Sequence, residues 1–390
     1  MATTLAAGLL LVGCAPASPD PTPEVASPAP SPAPSLPSRE DAPEPDPSPE
    51  PPRFPAGPDL GAATDTPQDL LTGLAVPWGL AFLPSGAVLI TQRDAAVLLL
   101  LTSTGLAPLT GPGAEELAAT TTTAGEGGLL GVAVSPQVED DGWVYLYRTT
   151  ANGNEVVRGQ LDADAGALGE LQTVVGGIPA ASNHNGGRLA FGPDGFLYVA
   201  TGDASDRGTS RDDASLAGKI LRVTAGGEPA PGNPVPGSPV WSLGHRNVQG
   251  LGWDERGRLF ASEFGQNAVD ELNLIEPGAD YGWPEVEGSG GGPGLVDPVV
   301  EWAPAAASPS GIAVTADAVY VAALRGARLW VVPFEGDGLG EPVDVLVGEL
   351  GRLRDVVVGP DGALWILTQN TDGRGQARPG DDRLVRMLPP

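Results

Sequence analysis

The sequence predicts an all-β protein: a six-bladed β-propeller of four-stranded antiparallel blades, preceded by a disordered, proline-rich N-terminal tail. Three observations lead there. A strand–turn–strand unit recurs from residue 60 onward, no long segment carries helical periodicity, and prolines crowd the residues before position 60.

The repeat is the strongest of the three. Its copies are Leu80–Gly86 before Val88–Ile90, Leu189–Gly195 before Leu197–Val199, Leu251–Gly257 before Leu259–Phe260, and Val356–Gly362 before Leu364–Ile366. Weaker copies start at Val132 and Ile312. The turns make physical sense: Pro presets φ, Gly accepts positive φ, and Pro-Asp-Gly closes a hairpin between two apolar strands. Third strands follow, such as Lys219–Val223, Glu271–Ile275 and Arg328–Val332. Six copies spaced by about 45–60 residues match the period of propeller blades, which protect their edges by radial repetition. Either Leu74–Leu80 or Asp382–Met387 is expected to supply the strand that closes the ring.

The N-terminus reads differently. Residues 1–13 hold the short apolar run Leu9–Val12, too short to span a bilayer and suited to an export signal. Leu11-Val12-Gly13-Cys14 resembles a bacterial lipobox, in which the cysteine is lipidated, although no Lys or Arg precedes it. Residues 15–58 contain 17 of the 42 prolines, a density incompatible with helix or central strand. The expected organisation is therefore a lipoprotein-type signal peptide over 1–13, a disordered linker over 14–59 and the propeller over 60–390. The expected location is outside the cytoplasm, lipid-anchored to the cell membrane or else secreted.

Composition narrows the chemistry. With 49 acidic against 21 basic residues the net charge is −28, which repels nucleic acid and anionic membranes. The single cysteine, Cys14, rules out an intramolecular disulfide and a c-type haem motif. Two histidines, His184 and His245, cannot build a histidine-rich metal cage, whereas oxygen-ligand calcium sites remain open.

Propellers work through the loops around their channel, and five stretches stand out there. They are Gly125–Gly131; Asn183–Arg188 continuing to Thr201-Gly202-Asp203; Gly244-His245-Arg246-Asn247-Val248-Gln249-Gly250; Ser262–Asn267 with Asp270, Glu271 and Asp280-Tyr281-Gly282-Trp283-Pro284; and Arg352-Leu353-Arg354-Asp355. Taken in order, they resemble the glucose/sorbosone dehydrogenase family, which includes soluble PQQ-dependent glucose dehydrogenases and aldose sugar dehydrogenases. The resemblance runs from about residue 70 to the C-terminus.

The resemblance implies a PQQ- and calcium-dependent oxidation of aldoses at C1 to lactones, with electrons passing to a quinone or other acceptor. It makes His184 the general base, Asp203 the carboxylate that orients it, and Arg246 the group that polarises the quinone oxygen. An imidazole suits a base working near neutral pH. PQQ is a planar tricarboxylate, for which forked guanidinium groups are the natural partners. The implied cofactor contacts are Glu126, Arg246, Asn247, Gln249, Arg325, Arg352 and Arg354. Calcium would take backbone carbonyls at Gly265 and Gln266, and a second ion would use Glu271 and the carbonyl of Tyr281. His245 reads as structural. Asn183 and Glu126 stand where soluble glucose dehydrogenases have Asp and Gln, which points toward the aldose branch. The residues alone also admit blander roles: a turn histidine at 184, a turn aspartate at 203, surface ion pairs for the arginines and a surface position for Glu271. Two other functions remain compatible with the fold: a calcium-dependent lactonase-type hydrolase, and a non-enzymatic binding lipoprotein.

Overall fold

The computed structural model describes residues 54–390, and the expected signal segment, Cys14 and most of the expected linker lie outside them. The described chain forms six antiparallel sheets in ring order. Blade 1 comprises Pro77–Phe82, Val88–Gln92, Val97–Thr102 and Gly105–Pro108. Blade 2 runs from Leu129 to Ile178, blade 3 from Leu189 to Leu243, blade 4 from Val248 to Trp302 and blade 5 from Pro309 to Val345. Blades 2 and 5 each carry one extra two-residue strand. Blade 6 contains Leu353–Val358, Leu364–Thr368 and Leu384–Met387.

The ring closes differently from the expectation. Leu384–Met387 is the third strand of blade 6, and its outermost strand is Gln68–Leu71, with Gln68 opposite Arg386. Leu74 and its neighbours form a connection rather than a strand. Pairing the first strand with the last satisfies the backbone edge that either terminus alone would leave open.

The hairpin turns bear out their sequence. Gly195 and Gly362 have φ of 78° and 77°, the left-handed region a Cβ disfavours. Asp194 Oδ1 accepts the Phe196 N–H at 3.2 Å, bracing the turn. One feature escaped the periodicity argument: helix Pro112–Thr120 between blades 1 and 2. At nine residues it is too short to show a clear apolar stripe. Arg148 holds it to blade 2 through Glu116 and Thr120.

The core lies between blades rather than within one. Successive strand residues face opposite sides, so each blade feeds two interfaces. Leu89 joins the cluster shared with blade 2, while Val88 and Ile90 join the cluster shared with blade 6. Six such clusters fill the six interfaces. Residues 54–59, which form no strand, lie on this body: Phe54 packs against the blade 1–2 cluster and Gly57 N donates to Ser85 O at 3.1 Å.

Polar groups tie the inner strands across the channel. Arg188 of blade 3 pairs with Asp355 of blade 6 at 2.8 Å and donates to Gln249 O of blade 4. Its guanidinium lies 4.7 Å from the Trp78 ring centre. Asp355 also accepts the Leu80 N–H of blade 1 at 3.3 Å. Both partners are buried. Burial raises the Asp355 pKa and the Arg188 charge counters it.

Candidate active site

His184 sits on the loop that enters blade 3, with φ of 59°. A non-glycine residue in that region costs about 1 kcal/mol and persists when its surroundings hold it. Here the His184 N–H donates to Glu126 Oε2 at 3.0 Å and its carbonyl accepts from Ala204 N at 3.1 Å. Gly202 is required beside it, because a Cβ there would lie 2.0 Å from His184 O. Asn247 Oδ1 accepts the Gly186 N–H at 3.0 Å and fixes the other side of the loop.

The imidazole Nδ1 lies 2.8 Å from Asp203 Oδ1. Asp203 is buried, and its remaining contacts are also donors: Ser205 N to Oδ1 at 2.8 Å and Trp283 Nε1 to Oδ2 at 2.9 Å. Burial raises the Asp203 pKa, but the hydrogen bonds from His184, Trp283 and Ser205 outweigh it and hold the carboxyl below its ordinary value. An ionised Asp203 assigns the hydrogen to Nδ1, which leaves Nε2 as the bare nitrogen. The His184 side chain retains 14% exposure, enough for a small molecule to reach it.

Arg246 stands on the same tryptophan, its guanidinium carbon 5.5 Å from the Trp283 ring centre. Its side chain pairs with no carboxylate among the described residues. Its Nη1 donates to Phe264 O at 3.1 Å and Gly265 O at 2.6 Å, and its Nε is buried without a partner. Burial lowers its pKa, and the nearby Asp203, Glu263, Glu287 and Asp270 counter that.

Five arginines line a cavity of about 280 Å³: Arg93, Arg325, Arg352, Arg354 and Arg374. Glu126 and Gln249 also line it, with Trp78 and Phe264 among the apolar surfaces. Arg354 is buried and pairs with no carboxylate among the described residues. It donates to Gln369 Oε1 at 2.7 Å and to Gln249 Oε1 at 2.6 Å. Burial, with Arg93 and Arg352 next in effect, pushes its pKa down to about 9. Arg352 pairs with Asp372 at 3.0 Å, and Arg374 pairs with Glu126 at 2.5 Å. Arg325 lies exposed on the rim. Burial raises the Glu126 pKa, but Arg374 and the His184 N–H prevail and hold it below the ordinary value.

The expected residues therefore fall into two linked groups. Glu126, Gln249, Arg325, Arg352 and Arg354 line the arginine cavity, whereas His184, Asp203, Arg246 and Asn247 do not. Glu126 bridges the groups by accepting the His184 N–H. Asn247 is 2% exposed and uses its side chain to hold the His184 loop, so the structure gives it a positioning task rather than an open cofactor contact.

A third feature adjoins them, a space of about 10 Å³ lined by Gly244, Gly265, Glu263, Glu271, Tyr281 and Glu287, with Arg246 and Trp283 at its wall. Glu263 and Glu271 both accept from Asn273 Nδ2, at 3.4 and 3.0 Å, and Asn273 Oδ1 is buried without a partner. Burial, then the Glu263 charge, pushes the Glu271 pKa up to about 8. Glu287 Oε1 accepts four consecutive backbone N–H groups, Gln266 through Val269, at 2.6 to 3.3 Å. Gly265 O is engaged by Arg246. Among the described residues no three His, Cys, Asp or Glu side chains form a metal cage. His245 is fully buried between Ser242 and Glu263 and stacks on Tyr281 at 4.7 Å, matching its expected structural role.

Sequence reasoning missed Trp283, Glu287, Arg93 and Arg374 as site residues. Trp283 was visible within Asp-Tyr-Gly-Trp-Pro, but only the fold shows its N–H on Asp203. Arg374 lies in the polar loop Asn370–Asp382, which carries no strand pattern to mark it.

Comparisons with known proteins agree with this geometry. The model for the Glucose / Sorbosone dehydrogenase family matches residues 74–385. Aldose sugar dehydrogenase YliI of Escherichia coli strain K12 is 30% identical over 347 residues, 80% of this chain and 92% of its own. Quinoprotein glucose dehydrogenase B of Acinetobacter calcoaceticus is 30% identical over 196 residues, 42% of this chain and 41% of its own. The PQQ-bound aldose sugar dehydrogenase of Streptomyces coelicolor is 50% identical, covers 83% of this chain and 99% of its own, and superposes with a TM-score of 0.77. The chain belongs to the glucose/sorbosone dehydrogenase family and is an oxidoreductase of that family.

Proposed function

We propose that this protein oxidises aldose sugars at C1 to lactones, with PQQ as the electron acceptor in the site and His184 as the general base. The observation that carries the reading is the 2.8 Å contact between His184 Nδ1 and a buried, ionised Asp203. It leaves Nε2 free to take the proton of the anomeric hydroxyl. Asp203 then stabilises the imidazolium that forms. PQQ, when bound, would supply an ortho-quinone as the hydride acceptor for C1. The residues fit such a group: a cavity lined by five arginines suits a tricarboxylate, and the unpaired charge of Arg354 gains a counter-ion. Arg325, Arg352 and Arg354 would hold its carboxylates, with Glu126 and Gln249 fixing the surrounding donors. Arg246 would stabilise negative charge at the quinone oxygen.

Calcium is the accompanying metal. The carboxylates of Glu263 and Glu271 with the unpartnered Asn273 Oδ1 fit a hard cation beside Glu271 and Tyr281. The carbonyls of Gly265 and Gln266 would hold a cofactor-side ion. Electrons leave for a quinone or other external acceptor, and the expected signal segment with Cys14 supports a location outside the cytoplasm, lipid-anchored or secreted.

The test is reconstitution of the purified protein with PQQ and calcium, followed by dye reduction across a panel of aldoses. We expect a PQQ-dependent rise in Tm and turnover of at least one aldose. His184→Ala should abolish turnover and keep the Tm rise. No turnover together with no Tm rise in the native protein would refute the assignment.

A further inference from the structure

The distribution of unpaired positive charge points to the substrate. Acidic residues outnumber basic ones by more than two to one in this chain, so an arginine without a carboxylate needs a reason. Twelve arginines among the described residues pair with carboxylates. Of the rest, Arg158, Arg246, Arg354 and Arg378 donate to neutral protein oxygens. Only the side chains of Arg207 and Arg325 form no hydrogen bond to any described residue, and both are exposed. Arg325 lines the arginine cavity and has its task there. Arg207 does not line that cavity.

Arg207 instead stands over the tryptophan that donates to Asp203. Its guanidinium carbon lies 5.2 Å from the centre of the Trp283 ring, and the same indole donates to Asp203, which holds His184. Its position is built. Ala204 and Ser205 take left-handed φ of 48° and 62°, which turns the chain out immediately after Asp203. Beyond Arg207, the buried ammonium of Lys219 binds the carbonyls of Thr209, Ser210 and Ala217 at 2.8 to 2.9 Å and anchors the loop's far side. Stacking on an indole orients a guanidinium while leaving its edge N–H groups free. Those groups form a forked donor over the Trp283 ring, linked to His184 through Trp283 and Asp203.

We infer that Arg207 selects acidic aldoses, sugars carrying a carboxylate such as a hexuronate, by binding that carboxylate while the anomeric carbon faces His184. The inference rests on the dehydrogenase reading above and deepens it. A bidentate guanidinium–carboxylate contact is the geometry that planar fork favours. A neutral hexose offers it nothing of comparable strength.

The experiment uses the full chain reconstituted with PQQ and calcium, and compares D-glucuronate with D-glucose under a neutral dye acceptor. The native protein should show the higher kcat/KM for glucuronate. Arg207→Gln should cut the glucuronate-to-glucose ratio about tenfold, the scale expected of a partly screened charge-assisted contact. The loss should appear in the KM for glucuronate, with glucose kinetics within about twofold of native. Arg207→Lys should keep part of the preference, and added salt should shrink it. An unchanged ratio in Arg207→Gln, or a native preference for glucose, would overturn the inference and leave the dehydrogenase reading intact. An Arg207 effect seen only in the KM of an anionic acceptor would also overturn it. Absence of turnover with both sugars, with no PQQ-dependent Tm rise, would overturn the reading and the inference together.

Discussion

Replacing Asp203 by Asn tests the centre of the site. Asp203 meets three donors and no acceptor: His184 Nδ1, Ser205 N and Trp283 Nε1. Asn offers one acceptor oxygen and one NH₂ group. If the oxygen stays on His184 and Ser205, the amide hydrogens oppose the Trp283 N–H. If it turns to Trp283, the NH₂ faces Nδ1 and moves the imidazole hydrogen to Nε2, which would disarm the proposed base. Either way the charge that balances the imidazolium is gone. Two unit charges about 4 Å apart interact by about 4 kcal/mol at an effective dielectric of about 20. That corresponds to roughly a thousandfold in kcat.

The assay is dye reduction by the reconstituted protein, with the PQQ-dependent Tm rise measured in parallel to show that the cofactor still binds. Stability supplies a second reading. The folded pKa of Asp203 lies below the ordinary value of a free aspartate. Its ionised form therefore contributes stability that is present above about pH 4 and lost as pH falls through the folded pKa. The Tm gap between native protein and Asp203→Asn should be open at neutral pH and narrow in acid. A variant with kcat within about tenfold of native would refute the orienting role of Asp203.

Four further outcomes follow from the same geometry. Arg188→Met strands a buried Asp355 and should destabilise the protein by about 3–5 kcal/mol, while Arg188→Met with Asp355→Leu should recover much of the loss; thermal or urea unfolding of the cycle checks this. Gly202→Ala forces a Cβ against the His184 carbonyl, and should lower both Tm and kcat, read by calorimetry and dye reduction. Arg325→Gln should weaken PQQ binding about tenfold and flatten its salt dependence, measured by fluorescence titration at two ionic strengths. Chelation of calcium should lower the Tm of the native protein, and Glu271→Gln should reduce the Tm gained on adding calcium back.

Local rules account for what was legible in the chain. The hairpins could be read because strand alternation and Pro-Asp-Gly turns act over fewer than ten residues, and Gly195 and Gly362 adopt the positive φ those turns demand. His184 and Asp203 could be named because they sit in short motifs, 19 residues apart. Helix Pro112–Thr120 was not legible, since nine residues carry too little periodicity and its hold on the fold comes from Arg148, 28 and 32 residues away.

The sequence by itself determined the blade repeat, the turn chemistry and the residue types of the site, because each follows from neighbours along the chain. Only the tertiary structure decided that Gln68–Leu71 closes the ring against Leu384–Met387, since that pairing joins the two ends of the propeller. It also decided that Trp283 reaches Asp203 across 80 residues, that Arg374 reaches Glu126 across 248, and that Arg207 stands unpaired above the same indole. These partners come from different blades. Their meeting depends on how six strand bundles pack around one channel, and nothing in the spacing of any single motif encodes that.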